Sequence, residues 1–313
     1  MTTMLNSESA HNRSGRPPGE RITGGTIASW IMMIVLIFIT LFPFWWMIRT
    51  ALTSPPAIFR DTHSLLPVDP TLGNIERVLG LVDATQIAGQ TATGVSAASL
   101  NFWLYLRNSL IVSGLITLGQ TFFCSLSAYA FARLKFPGRD QLFFMYLMGL
   151  MVPGIVLFIP NFVLVHQLGL INTFTGMVAP GFLMTPFAVF FMRQFFIGLN
   201  KELEESARLD GCTTLGVFWR IALPLISGPV LTLAILTFIG SWNDYLWPLL
   251  VGRDESVRVL TVALGIFRSQ TAQAAPDWSG LMAGALAAIT PTLLLFMVFG
   301  RKVVDSVQFS GFK

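Results

Sequence analysis

The stretch LEESARLDGCTTLGVFWRIALP, residues 203–224, lies between two strongly apolar runs, yet it is neither apolar nor turn-rich. Asn200 stands where a helix cap belongs, and Glu202, Glu204 and Glu205 fill the first turns, where the helix dipole favours acids. Gly211 follows the last periodic residue, as a left-handed helix stop requires. Thr213 can cap a second helix, Thr214–Ala222, and Pro224 marks the entry to the next apolar run. Leu199, Leu203 and Ala207 share one face of the first helix; Val217, Phe218 and Ile221 share one face of the second. Two such faces joined by a glycine turn can close into a knob for a soluble partner, or lie flat as a partnerless interfacial hairpin.

Around this stretch the chain is 53% hydrophobic and only 12% charged, about half the charged share usual in soluble domains. Runs of about 20 residues with almost no charge match the length needed to cross a hydrocarbon core. Six spans are expected: Ile27–Ile48, Ser109–Ala132, Gln141–Val165, Gly176–Phe195, Ile226–Pro248 and Gly280–Gly300. The fold class is therefore all-α, a polytopic membrane protein with six transmembrane helices and a helical hairpin. The first span is too long for a signal-peptide core and lacks a small-residue cleavage site, so it reads as an anchor.

With the N-terminus in the cytoplasm, thirteen of the 20 Lys and Arg residues fall on inside segments. That is the positive-inside pattern, and it places both termini and the 199–224 loop in the cytoplasm of a cell (inner) membrane protein. It also accounts for the basic balance without any nucleic acid. Cys124 and Cys212 both lie on the inner side and predict no disulfide.

Four segments follow from these boundaries. Residues 1–26 read as a disordered cytoplasmic tail, rich in Ser, Asn and Gly with Pro17-Pro18. Residues 27–104 hold the first span and a long outside segment with a short surface helix at Asn74–Leu81. Residues 105–300 form a five-helix core carrying the 199–224 loop. Residues 301–313 form a cytoplasmic C-terminal tail. Pro153, Pro160, Pro186 and Pro291 fall inside spans, where each removes a backbone bond and can kink its helix. Gly280-x-x-x-Gly284-x-x-x-Ala288 reads as a close-packing ridge. Met145, Met148 and Met151 read as core filler.

An acid within a membrane is costly, so Asp244 is a candidate site residue, as a solute-path group or as the ion site of a secondary transporter. It can equally cap a broken helix or pair with Arg107 or Arg253. Asn243 can offer donors and an acceptor to hydroxyl groups. Trp242 and Tyr245 can stack on a sugar ring, or join Trp247 in an aromatic interface belt. Asn108, with Gln120 and Asn161, can line the path or bind helices together. No G-x-x-x-x-G-K-[ST] phosphate loop occurs, and no enzyme motif such as H-E-x-x-H or G-x-S-x-G is present. No cofactor or metal is expected.

The pattern Glu205-Ser206-Ala207, three residues, Gly211, nine residues, Ile221-Ala222-Leu223-Pro224 resembles the signature loop of ATP-binding-cassette importer permeases. Ser206, in place of the central alanine, is its one departure. Arg107-Asn108-Ser109-Leu110 resembles the start of that family's permease core, Pro153 to Pro160, Gly169–Thr173 and Ser241–Leu250 resemble its carbohydrate (maltose-type) branch, and the Val304–Lys313 ending resembles the tail of the smaller of that branch's two permeases. The resemblance covers residues 105–313; residues 82–102 and the extended N-terminus fall outside it. It implies that Glu205, Ser206, Ala207, Gly211, Ile221 and Pro224 couple to an ATPase subunit dimer. It also implies a second permease subunit and an extracytoplasmic solute-binding protein. The expected function is a permease subunit of an ATP-driven importer for a sugar or sugar-like solute, with ATP hydrolysed by a separate chain. The alternative is an ion-coupled secondary transporter using Asp244. The sequence does not name the solute.

Overall fold

The computed structural model describes residues 24–81, 100–270 and 277–308. The chain divides into residues 1–46 and residues 47–313. The expectations for residues 1–23, 82–99 and 309–313 lie outside the described residues. Where the expected N-terminal tail is described, at Gly24–Thr26, it is already helical.

Helix α1, Gly24–Leu52, is long and apolar enough to cross a membrane, as are α4, Phe102–Arg133, and α15, from Trp278 to Arg301 of its Trp278–Gln308 length. The polar residues of the α1 arm are returned to the helix: Ser29 Oγ donates to Gly25 O and Thr40 Oγ1 to Leu36 O. Those two hydroxyls thus find acceptors within the helix where the surround is apolar.

The remaining expected spans are broken. Gln141–Val165 is not one span but α5, Arg139–Met148, prolonged by a 3-10 turn to Met151, followed by α6, Gly154–Gln167, turned through 98°. Val152, just before Pro153, is extended at ψ 115, because the proline ring disfavours a helical residue before it. Gly176–Phe195 divides into α7, Phe174–Phe182, and α8, Pro186–Gly198, bent by 45°. Thr185, before Pro186, is extended for the same reason. Counting each bent pair as one span gives up to six. No strand occurs among the described residues, apart from an isolated bridge between Thr53 and Pro70.

Helix α4 is the axis of the second unit, packing against α7, α8, α12 (Ser227–Trp242) and α14 (Leu260–Gln270). Three apolar clusters lie along it. One joins Tyr129, Met192, Phe196, Phe218 and Ala222; a second joins Phe102, Tyr105, Trp242, Leu260 and Phe267; a third joins Val112, Met177, Val251 and Val262.

The Asn74–Leu81 helix forms as α3, Gly73–Val78, but it is not a surface element: Asn74, Arg77 and Val78 are buried. Asn74 Nδ2 donates to Ala51 O and Thr53 O at 2.9 Å each. Arg77 makes a buried ion pair with Asp277, whose other oxygen accepts from Gly280 N at 2.8 Å. A Cβ at Gly284 would meet Leu264, so the expected glycine ridge does admit close neighbours. The methionine set does not fill a core: Met145 and Met151 are 61% and 82% exposed. Near-apolar helices bound for lipid leave such residues at the surface, where a soluble protein would bury them.

Candidate functional site

The hairpin consists of α9, Lys201–Leu209, then α10, Thr214–Val217, continued by a π-helical turn, Phe218–Ala222, and the short α11, Leu223–Leu225. Asn200 Oδ1 accepts from Glu202 N at 3.0 Å, and Thr213 Oγ1 accepts from Gly216 N at 3.1 Å. Gly211 has φ +86. Its N–H donates to Arg208 O at 3.0 Å, and Cys212 N donates to Ala207 O at 2.9 Å. Those two bonds close a Schellman motif, with Cys212 and Ala207 as its apolar pair. The turn between the two arms is thus a defined joint.

The inward face of α9 differs from the expected one. Leu203 is 47% exposed, and the buried positions are Glu204 and Ala207. Glu204 can occupy this face because it is paired: Arg133, in the last turn of α4, approaches it at 2.9 Å, and Tyr129 Oη donates to it at 3.3 Å. A buried carboxylate without such partners would be strongly unfavourable. On the second arm Val217, Phe218 and Ala222 are buried, while Ile221 is partly so. Of the six positions expected to couple to an ATPase, Glu205, Ser206, Gly211 and Pro224 are exposed, Ala207 is buried and Ile221 is partly buried. Ser206 keeps its hydroxyl on its own helix, donating to Leu203 O at 3.1 Å. Leu209, 89% exposed, and Leu215, 57% exposed, extend the outward face.

The expected solute-path residues do not converge. Asn108 is fully buried, and its Nδ2 donates to Ser256 O at 3.0 Å and Arg258 O at 2.9 Å, fastening the loop between α13 (Leu246–Val251) and α14. Trp242 is buried against α15, stacked on Phe238 with Nε1 donating to Ala288 O at 3.2 Å, so no sugar ring can reach its face. Asn243 is exposed and returns its amide to Ile239 O at 2.8 Å. Asp244 is half-buried at the break before Leu246 and forms no ion pair among the described residues. Tyr245 is 40% exposed, with its ring edge over Gly265. Only Asn243, Asp244 and Tyr245 share one place, the break between α12 and α13.

Sequence reasoning missed the Tyr129–Arg133–Glu204 cluster. Tyr129 and Arg133 are four apart, so one helix face was predictable. That Glu204 rather than Leu203 turns inward was not, since an amphipathic reading sends acids to water.

Residues 120–307 match the family model described as "Binding-protein-dependent transport system inner membrane component". The arabinooligosaccharides transport system permease protein AraQ of Halalkalibacterium halodurans is 32% identical over 290 residues, 92% of this chain and 97% of its own. The sn-glycerol-3-phosphate transport system permease protein UgpE of Salmonella typhi is 33% identical over 292 residues, 92% of this chain and 99% of its own. A chain from the crystal structure of a bacterial ABC transporter involved in the import of the acidic polysaccharide alginate superposes with a TM-score of 0.75, at 20% identity, over 92% of this chain and 99% of that one. At that identity it shows the shared fold.

Proposed function

The chain belongs to the family of binding-protein-dependent transport system inner membrane components, and from that premise we propose how it is driven and what it carries. It is a permease subunit of an ATP-binding-cassette importer, not an enzyme. Importers of this kind combine permeases with ATPase subunits and a solute-binding protein. In our reading, the outward face of the 199–224 hairpin docks into an ATPase dimer, and a second permease completes the path. ATP binding draws the ATPase subunits together, the hairpins follow, and rigid hinging of the helices opens the path to the binding protein. Hydrolysis reverses the movement. Both termini lie in the cytoplasm of a cell inner membrane.

The observation that carries the coupling reading is the hairpin's construction. Two capped helices meet at a Schellman joint, one face is fastened to the core, and Glu205, Leu209 and Leu215 face away from it. Such an exposed apolar and acidic face on an ordered element fits a protein partner. The solute reading rests on the relatives, whose names give an arabino-oligosaccharide and a polyol phosphate. A sugar or sugar-like solute is common to both. Asn243, Asp244 and Tyr245 are the groups this chain would offer it. The ion-coupled alternative built on Asp244 is set aside, because membership of a binding-protein-dependent transport family favours an ATP-driven importer.

The test is the importer reconstituted in proteoliposomes with its partner permease, ATPase and binding protein. Glu205 makes no hydrogen bond or ion pair among the described residues, so Glu205→Arg should leave the permease folded. It should abolish co-purification of the ATPase and stop uptake of arabino-oligosaccharide or glycerol phosphate. Full ATPase retention and full uptake in that variant would overturn the coupling reading.

A further inference from the structure

Both arms of the hairpin and the helix that precedes it meet on one residue of α4. The Tyr129 ring lies 5.4 Å from Phe196 of α8 and 5.3 Å from Phe218 in the π-helical turn of the second arm. Its hydroxyl donates to Glu204 of the first arm, and Arg208, one turn further along α9, stands beside it. One turn along α4, the Arg133 guanidinium binds the Glu204 carboxylate and also donates to Leu199 O, at the end of α8. The side chains of Arg133 and Glu204 are 5% and 7% exposed. A buried polar pair and one aromatic ring thus join both arms to the core, beside the ring contacts of Trp219 with Phe122 and of Phe218 with Phe196. The π-helical turn sits at the same place, and such turns inside helices recur at functional sites.

We infer that Glu204, Arg133 and Tyr129 form the linkage that makes the hairpin and the inner end of α4 move as one body; they are positioning residues for transport. The inference rests on the coupling reading above. A purely apolar contact is non-directional and can slide. A buried carboxylate paired with a guanidinium on one side and bonded to a phenol on the other resists displacement, because moving it leaves a buried charge without its partner. A hairpin seated on apolar contacts alone could rock when the ATPase moves and absorb the stroke. Seated on this pair, it must carry α4 with it. Glu205, the neighbouring acid, faces outward to the ATPase; Glu204 faces inward to α4. The consecutive acids therefore divide the task, one receiving the movement and the other passing it on.

The experiment uses the complete reconstituted importer with three variants, Glu204→Gln, Tyr129→Phe and the double variant, and reads ATP hydrolysis and solute uptake on the same vesicles. Glutamine keeps the shape but removes the charge; phenylalanine keeps the ring contacts with Phe196 and Phe218 but removes the hydroxyl. Each single variant should still bind the ATPase and hydrolyse ATP unchanged, while solute moved per ATP falls by about two- to thirtyfold, the range for residues in a coupling network. The double variant should fall by less than the product of the two, because the residues touch within one cluster and their effects are not independent. If Glu204→Gln is lost from the membrane, Tyr129→Phe decides alone. Unchanged solute per ATP in Tyr129→Phe, or multiplicative losses in the double variant, would overturn the inference. Failure of the coupling reading is separately visible, because Glu205→Arg would then leave the ATPase attached.

Discussion

Replacing Gly211 isolates the backbone of the hairpin joint from its surroundings. The residue sits at φ +86, and a Cβ built there has nothing within 4 Å. The alanine methyl therefore clashes with no neighbour, and its penalty is that of the left-handed backbone. That penalty is about 1–2 kcal/mol for an L-residue with a Cβ, and the upper end applies because +86 lies beyond the usual left-handed value near +57. Converted at about 1.4 kcal/mol per tenfold, that upper end makes the joint open about 30-fold more often in Gly211→Ala. Asparagine tolerates positive φ better than other non-glycine residues, so Gly211→Asn should cost less than Gly211→Ala although it is larger. Gly211→Val, β-branched, should cost most. The assay is amide hydrogen exchange of the solubilised permease at Gly211 and Cys212, whose N–H groups close the Schellman motif on Arg208 O and Ala207 O. The expected order of exchange is Gly, Asn, Ala, Val. An order that follows side-chain volume in the isolated permease, with Asn worse than Ala, would refute a backbone origin. In the assembled importer size should matter as well, so Gly211→Trp should uncouple ATP use from uptake.

Two further outcomes concern regions away from the hairpin. Asn108→Ala leaves two carbonyls, Ser256 O and Arg258 O, without their donor; it should destabilise the solubilised protein by about 1–3 kcal/mol and speed proteolysis between Gly252 and Val259, whereas an unchanged cleavage rate would show that the loop is held elsewhere. Asp277→Asn breaks the buried pair with Arg77 and should cost about 3–5 kcal/mol in a thermal or denaturant melt, with the larger loss from Asp277→Leu, which also removes the acceptor for Gly280 N.

Much of the architecture was legible because the membrane restricts the options. A backbone in hydrocarbon must satisfy its own polar groups, so an apolar run of sufficient length implies a helix. The uninterrupted spans at Ile27–Ile48, Ser109–Ala132 and Gly280–Gly300 all fall inside long helices. Hydropathy is blind to direction, so it joined Gln141 to Val165 across a 98° turn. The proline marked the place of that break but not its angle, which depends on what the next helix packs against.

The joint of the hairpin was legible for a local reason. Caps, a left-handed glycine and a dipole-matched first turn are each decided within a few residues, and Asn200, Gly211 and Thr213 take the expected roles. The residues expected along the solute path were less legible. Asn108 and Trp242 carry groups suited to a sugar, but a polar side chain's partner is chosen by the neighbours folding brings to it. Here those neighbours are Ser256 and Arg258 for Asn108, and Ala288 for Trp242.

By itself the sequence determined the helical class and the hairpin's capped and glycine-stopped form, because these depend on composition, run length and short-range backbone chemistry. Tertiary structure alone decided which acid of the hairpin turns inward. Glu204 is buried because Tyr129 and Arg133, more than 70 residues earlier in the chain, stand where α9 comes to rest. The free energy of a buried charge depends on partners that only the completed fold supplies.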